Sequence, residues 1–244
     1  MLGTELSQAQ HFALINETAS IRYALDSADR LLRTAGPFER ERDAIFAVCS
    51  IGIEKLAKVA LCLIEVDKGR GWPPIKVLNK SRDGWGHSIG QMDNRLRDVL
   101  ASRVAGKEAE VFLRRMLRTV EQDAVWSHVA GSLEAYATMG RFFHRDALAG
   151  ESADPTHDPA VLWDAAERAA VAASPTLASL QAAEPWTAFE IALLGSVADS
   201  IRRWWGMVAL MGMHGVLGDA GKSFGGDVLP DGAVPFRFDV DAFP

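Results

Sequence analysis

Residues 41–87, ERDAIFAVCSIGIEKLAKVALCLIEVDKGRGWPPIKVLNKSRDGWGH, decide the fold. Ile45, Cys49, Gly52, Leu56, Val59 and Leu63 recur at steps of three or four, the period of a helix with one apolar face. The stripe predicts a helix from Phe38 to Asp67. Gly69, Gly71, Pro73, Pro74, Gly84 and Gly86 then crowd the chain with breakers, so residues 68–86 read as a structured loop. Upstream, Ser7 can cap a helix that runs to Thr34, along which Phe12, Ile15, Ala19, Tyr23, Asp26 and Arg30 share one face. Gly36-Pro37 ends it, and so short a connection makes the two long helices an antiparallel hairpin.

Downstream, a third helix is expected from Ser88 to Gly106. The rhythm of Val111, Met116, Val120, Val125, Val129, Leu133, Tyr136 and Phe143 predicts one long or kinked helix from Lys107 to Leu148, with Gly131 and Gly140 as soft points. Gly150 to Pro159 is a polar linker. A helix over 159–173 and a break at Ser174-Pro175 precede a last long helix, Pro185 to Gly218. That helix is apolar nearly all round and carries Gly195, Gly206, Gly212 and Gly215, so it is expected to be buried or to sit in a subunit contact. Asp199, Arg202 and Arg203 interrupt it, expected to pair with one another, and they leave too short an apolar run to span a membrane. From Gly221 the chain reads as an extended tail, with Val234 to Val240 a short strand or arm. The expected fold is all-α, a bundle of about six or seven helices. It divides into a core at 1–149, additional helices packed on the core at 150–220 and an extended C-terminal tail at 221–244.

The 244 residues carry a net charge of −6, which argues against indiscriminate nucleic-acid binding. The charge is uneven. Residues 68–118 hold twelve Lys/Arg against five Asp/Glu, a local +7 that leaves −13 for the rest. A basic middle of this kind can attract a phosphate backbone, or it can be the solvated faces of ordinary helices. Cys49 and Cys62 lie thirteen residues apart on one helix, roughly 20 Å at 1.5 Å per residue, too far to pair with each other. With an N-terminus that has no basic region followed by an apolar one, they point to a reducing, cytoplasmic setting.

Three groups of residues can carry chemistry. In the first, Arg82 and His87 form an Arg-x4-His pair, and Glu54 with Lys58 on the preceding helix can steady it. The order of parts, with Gly52-Ile-Glu54-Lys55-Leu-Ala-Lys58 on a long helix and Gly86-His87-Ser-Ile-Gly-Gln-Met92 at a helix entry, resembles the HEPN superfamily over residues 8 to 148. It resembles especially the abortive-infection members of AbiV type and related bacterial proteins. The resemblance implies an RNA-directed or phage-defence-associated protein. It further implies a homodimer with a metal-independent ribonuclease site in which Arg82 holds phosphate and His87 moves a proton. Here, however, the pair falls in a glycine-containing loop, where the family often has a structural Gly-His entry. His87 therefore also reads as a helix-start residue, and the chain as a non-catalytic scaffold or interaction module acting as a homodimer or on a protein partner.

The second and third groups are basic. Arg141, His144 and Arg145 can bind phosphate or anchor a helix end, and Arg114, Arg115 and Arg118 lie within the basic segment. No metal or cofactor is expected, because the six histidines are dispersed and zinc or di-iron spacing is missing. His11, His128 and His214 read as packing residues. Gly221-Lys222-Ser223 is not a phosphate loop, since the glycine required ahead of Gly221, with four residues between, is replaced by Val216.

Overall fold

The computed structural model describes residues 6–34, 38–79, 86–138, 148, 158–182 and 186–232. Among them the chain is all-helical, with ten helices and no strand. These are α1 (Gln8–Thr34), α2 (Phe38–Asp67), α3 (Ile75–Leu78), α4 (Ile89–Arg103), α5 (Glu110–Glu121), α6 (Ala124–Thr138), α7 (Pro159–Ala173), α8 (Pro175–Gln181), α9 (Trp186–Met213) and α10 (Asp219–Val228). Six or seven were expected, and the excess has local causes.

The expected helix from Lys107 to Leu148 is broken at Gln122 and Asp123, not at Gly131, which lies inside α6. The Asp123 carboxylate accepts the Val125 and Trp126 amide hydrogens at 3.1 and 3.3 Å, which starts a new helix there. Gly140 lies outside the described residues, as does the Val234–Val240 segment.

At the start of α1, Ser7 Oγ accepts the Gln10 amide at 3.3 Å while Gln10 Oε1 accepts that of Ser7 at 2.9 Å, a reciprocal capping box. The helix buries Ile21, Leu25, Ala28 and Leu32 against α2. The stripe read from the sequence is turned outward, with Phe12 and Ile15 each 60% and Tyr23 73% exposed. Gly52 lets the pair close up, because a Cβ there would lie 2.8 Å from Leu25 Cδ2.

A single hydrophobic core runs from Ile21 in α1 to Val228 in α10, so the helices after residue 158 complete the core that the first six begin. Trp163 of α7, for example, stacks on Phe38 at 5.4 Å and meets Phe46 at 5.1 Å. At the centre lies α9, with α1, α2, α5, α6, α7, α8 and α10 around it. Most of its apolar side chains are covered by its own chain, as the expectation of burial had it, while Trp186, Ile191 and Met213 remain exposed.

The expected tail begins as a helix instead: α10 closes on α9 backbone to backbone. A Cβ on Gly212 would stand 2.7 Å from the Gly221 carbonyl oxygen and 2.9 Å from Gly225 Cα. Gly218, at φ +91°, makes the turn between the two.

The charges of α9 do not pair with one another either. Asp199 meets Arg33 at 2.7 Å, Arg202 meets Asp29 at 3.4 Å, and Arg203 meets Asp123 at 2.6 Å. Each therefore ties α9 to another part of the bundle. Asp93 of α4, only 4% exposed, accepts the indole N–H of Trp126 at 3.1 Å and of Trp204 at 2.7 Å, and Arg97 neutralises it at 3.0 Å. The two indoles stack at 4.8 Å. Replacing Asp93 by Ala strands two buried indole donors and takes the counter-charge from Arg97, so Asp93→Ala is expected to lower the unfolding free energy by about 3–5 kcal/mol. Urea denaturation measures the difference; a loss under about 1 kcal/mol contradicts the network.

Candidate functional site

Glu54 and Lys58 face the same side of α2 one turn apart, and Lys58 Nζ donates to Glu54 Oε1 at 2.8 Å. His87, at the entry to α4, places Nδ1 3.0 Å from both Glu54 oxygens. The carboxylate thus holds an imidazole and an ammonium together. Glu54 and Lys58 are 18% and 17% exposed, whereas the His87 side chain is 64% exposed. Among the described residues no hydrogen bond engages its Nε2.

The position of His87 is set from both sides. Gly86, at φ +82°, turns the chain, and its amide donates to the Leu78 carbonyl at 3.0 Å. Beyond His87, the first turn of α4 is capped from a distance. Ser88 Oγ donates to Glu134 Oε1 at 2.8 Å, and the Gly90 amide donates to Glu134 Oε2 at 2.7 Å. Gly90 makes room for this, since a Cβ there would lie 2.8 Å from Glu134 Oε2. Glu134 belongs to α6, so His87 is suspended between α2 and α6.

Lys58 also lines a groove of about 320 Å³ with Leu14, Val59, Trp72 and Leu78, between α1, α2 and the loop that follows α2. Lys55 on the same wall is bonded to Glu17 at 3.2 Å and Ser20 at 2.9 Å.

Of the residues singled out in the sequence, the structure brings together His87, Glu54 and Lys58. Arg82, Arg141, His144 and Arg145 lie outside the described residues. On α5, Arg114 is engaged by Glu110 at 2.7 Å, and Arg118 stands exposed in the last turn. Arg115 is half-buried on the same helix, which packs against α9 and α4. The histidines read as packing residues are exposed instead: His11 bonds to the Ser7 carbonyl at 3.1 Å, and His214 meets the Phe112 ring edge-on at 6.1 Å. Cys49 and Cys62 are buried free thiols, and burial pushes both up to about 12, where they are poor nucleophiles.

Sequence reasoning missed Glu134 and Asp93. For Asp93 there was a signal: it falls on the same face as Ile89, Met92, Leu96 and Leu100, where a carboxylate needs partners. For Glu134 there was none, since its partners are 44 and 46 residues away.

No protein-family model matches this chain, and neither the curated proteins nor the solved structures give a match.

Because Glu134 accepts from both Ser88 Oγ and the Gly90 amide at the start of α4, Glu134→Ala is expected to lower the unfolding free energy by about 1–3 kcal/mol. Hydrogen exchange at the Gly90 amide should quicken with it; an unchanged exchange rate would remove the cap as the anchor of His87.

Proposed function

We propose that this chain is a HEPN-like, RNA-directed protein that cleaves single-stranded RNA without a metal ion. His87 is its proton-transfer group and Arg82 its phosphate-holding group. The observation that carries this reading is the His87–Glu54 pair: an exposed imidazole whose Nδ1 is fixed by a half-buried carboxylate, leaving Nε2 toward solvent. In that arrangement Nε2 accepts the proton of a ribose 2′-hydroxyl as its oxygen attacks the adjacent phosphorus. The bond to the 5′-oxygen breaks, that oxygen takes a proton from water as the imidazolium returns its own to solvent, and the products are a 2′,3′-cyclic phosphate and a 5′-hydroxyl. Glu54 keeps the tautomer and steadies the imidazolium, and Lys58 holds the Glu54 carboxylate in place. The basic segment 68–118 supports an RNA substrate through its charge. Phage defence enters only through the family resemblance. No described helix is long and apolar enough to cross a membrane. With two buried thiols, this favours a reducing, cytoplasmic setting.

His87→Ala is expected to reduce cleavage of a short single-stranded RNA by about a hundredfold or more. Because the ring is exposed, stability should change by less than about 0.5 kcal/mol. Glu54→Gln should reduce cleavage while keeping the fold. An RNA with a 2′-deoxy residue at the cut site should resist the wild type. Undiminished cleavage by His87→Ala sinks the reading.

One observation favours a second reading, a non-catalytic homodimeric scaffold. Phe12, Ile15, Ala19 and Tyr23 form an unpartnered apolar stripe along α1, and Ile51 is 42% exposed on α2. An isologous contact of two α1 helices would cover it. Light scattering at micromolar concentration should then give a dimer mass, and Phe12→Glu combined with Tyr23→Glu should give a monomer. A monomer mass for the wild type excludes this dimer.

A further inference from the structure

A second cavity lies at the far end of α2, away from His87. It is a cleft of about 500 Å³ between the first turns of α2, the outer face of α7, α8 and the start of α9. Arg42 on its wall and Glu54 are twelve residues apart, about 18 Å along the helix at 1.5 Å per residue. One part of the wall is aromatic. It consists of Phe38, Trp186 and Phe189, with the Trp186 and Phe189 rings 4.9 Å apart and Trp186 59% exposed.

The charged groups facing the cleft are Glu39 and Arg42 from α2, Asp164, Glu167 and Arg168 from α7, and Glu190 from α9, while α8 contributes the neutral Gln181. Carboxylates outnumber guanidinium groups two to one. None of the four carboxylates makes an ion pair among the described residues. Glu167 accepts from the Trp163 indole at 3.0 Å and Glu190 from the Phe38 amide at 3.3 Å, both neutral donors. The balance of charge is therefore open. Burial, with added repulsion from Asp164, Glu39 and Glu190, pushes Glu167 up to about 7 against the help of the Trp163 bond.

The carboxylates do not converge: among the described residues no three His, Cys, Asp or Glu side chains stand close enough to hold a metal ion. Anions spread around an aromatic wall suit a larger cation with an apolar body, held by charge at one end and by ring faces at the other. The volume falls within the range of about 300–1,000 Å³ usual for small ligands. We propose that this cleft binds a small organic amine, its ammonium drawn by the summed field of Glu39, Asp164, Glu167 and Glu190 and its apolar body against Trp186 and Phe189. A cation there favours the ionised form of Glu167, so binding expels the proton that the empty cleft retains near neutrality.

The test is calorimetric titration of the full chain with phenethylamine, beside 2-phenylethanol and 3-phenylpropionate as neutral and anionic counterparts. The amine should bind about tenfold or more tightly than either, and more tightly at about pH 8 than at pH 6 as Glu167 ionises. Glu167→Gln should weaken it at pH 8 and abolish the pH dependence. Asp164→Asn, at an exposed position, should weaken it without touching the core. No heat with millimolar amine, or equal affinity for the alcohol, overturns the proposal. So does unchanged affinity in a folded Asp164→Asn.

Discussion

The fold hangs on a buried carboxylate shared by two stacked indoles. Asp93 draws Trp126 of α6 and Trp204 of α9 onto α4, so three helices distant in sequence meet at one polar point inside an apolar core. Hydrophobic packing alone would allow these helices to slide or rotate, because apolar contact has little direction. Hydrogen bonds with fixed acceptors do not allow it. The cost of burying the charge is offset by Arg97, which is itself partly exposed and so keeps much of its hydration. Only six residues before Asp93 stands His87, and the rotation of α4 about its axis determines which way that histidine faces.

The same logic recurs in the ion pairs of α9. Arg33–Asp199, Arg202–Asp29 and Arg203–Asp123 each join elements rather than reinforce one helix. Asp123 also caps α6 and accepts from Ser200 at 2.8 Å, so one carboxylate both starts a helix and positions its neighbour. The bundle is therefore apolar in bulk and specified by a few polar junctions.

Where the sequence could be read, one signal dominated the segment. The α2 stripe is unambiguous and bounded by breakers, and both ends came out as expected. The Glu54–Lys58 pair follows from helical spacing alone, and its link to His87 was open to anticipation because a Gly-His entry follows that helix. The misread helices α1 and α5–α6 share one cause, competition between signals of equal strength. On α1 two apolar registers coexist, and periodicity cannot say which one faces the core. At residue 123 a capping aspartate broke a rhythm that continued in phase on either side. The cap on α4 and the cleft beside α7 depend on residues brought from far along the chain, which no local pattern encodes.

The seam between α9 and α10 bears on how the chain reaches this state. Arg22 of α1 bonds to the Asp227 carbonyl 205 residues later, and Phe224 and Val228 belong to the same core as Ile21. The earliest long helix thus waits for α10 to be synthesised before its packing is complete. Contacts of such sequence separation slow folding relative to a bundle of neighbouring hairpins. Until α10 leaves the ribosome, the backbone groove around Gly212 and the apolar flank of α9 stay open to water, and nascent chains at this stage are natural clients for chaperones.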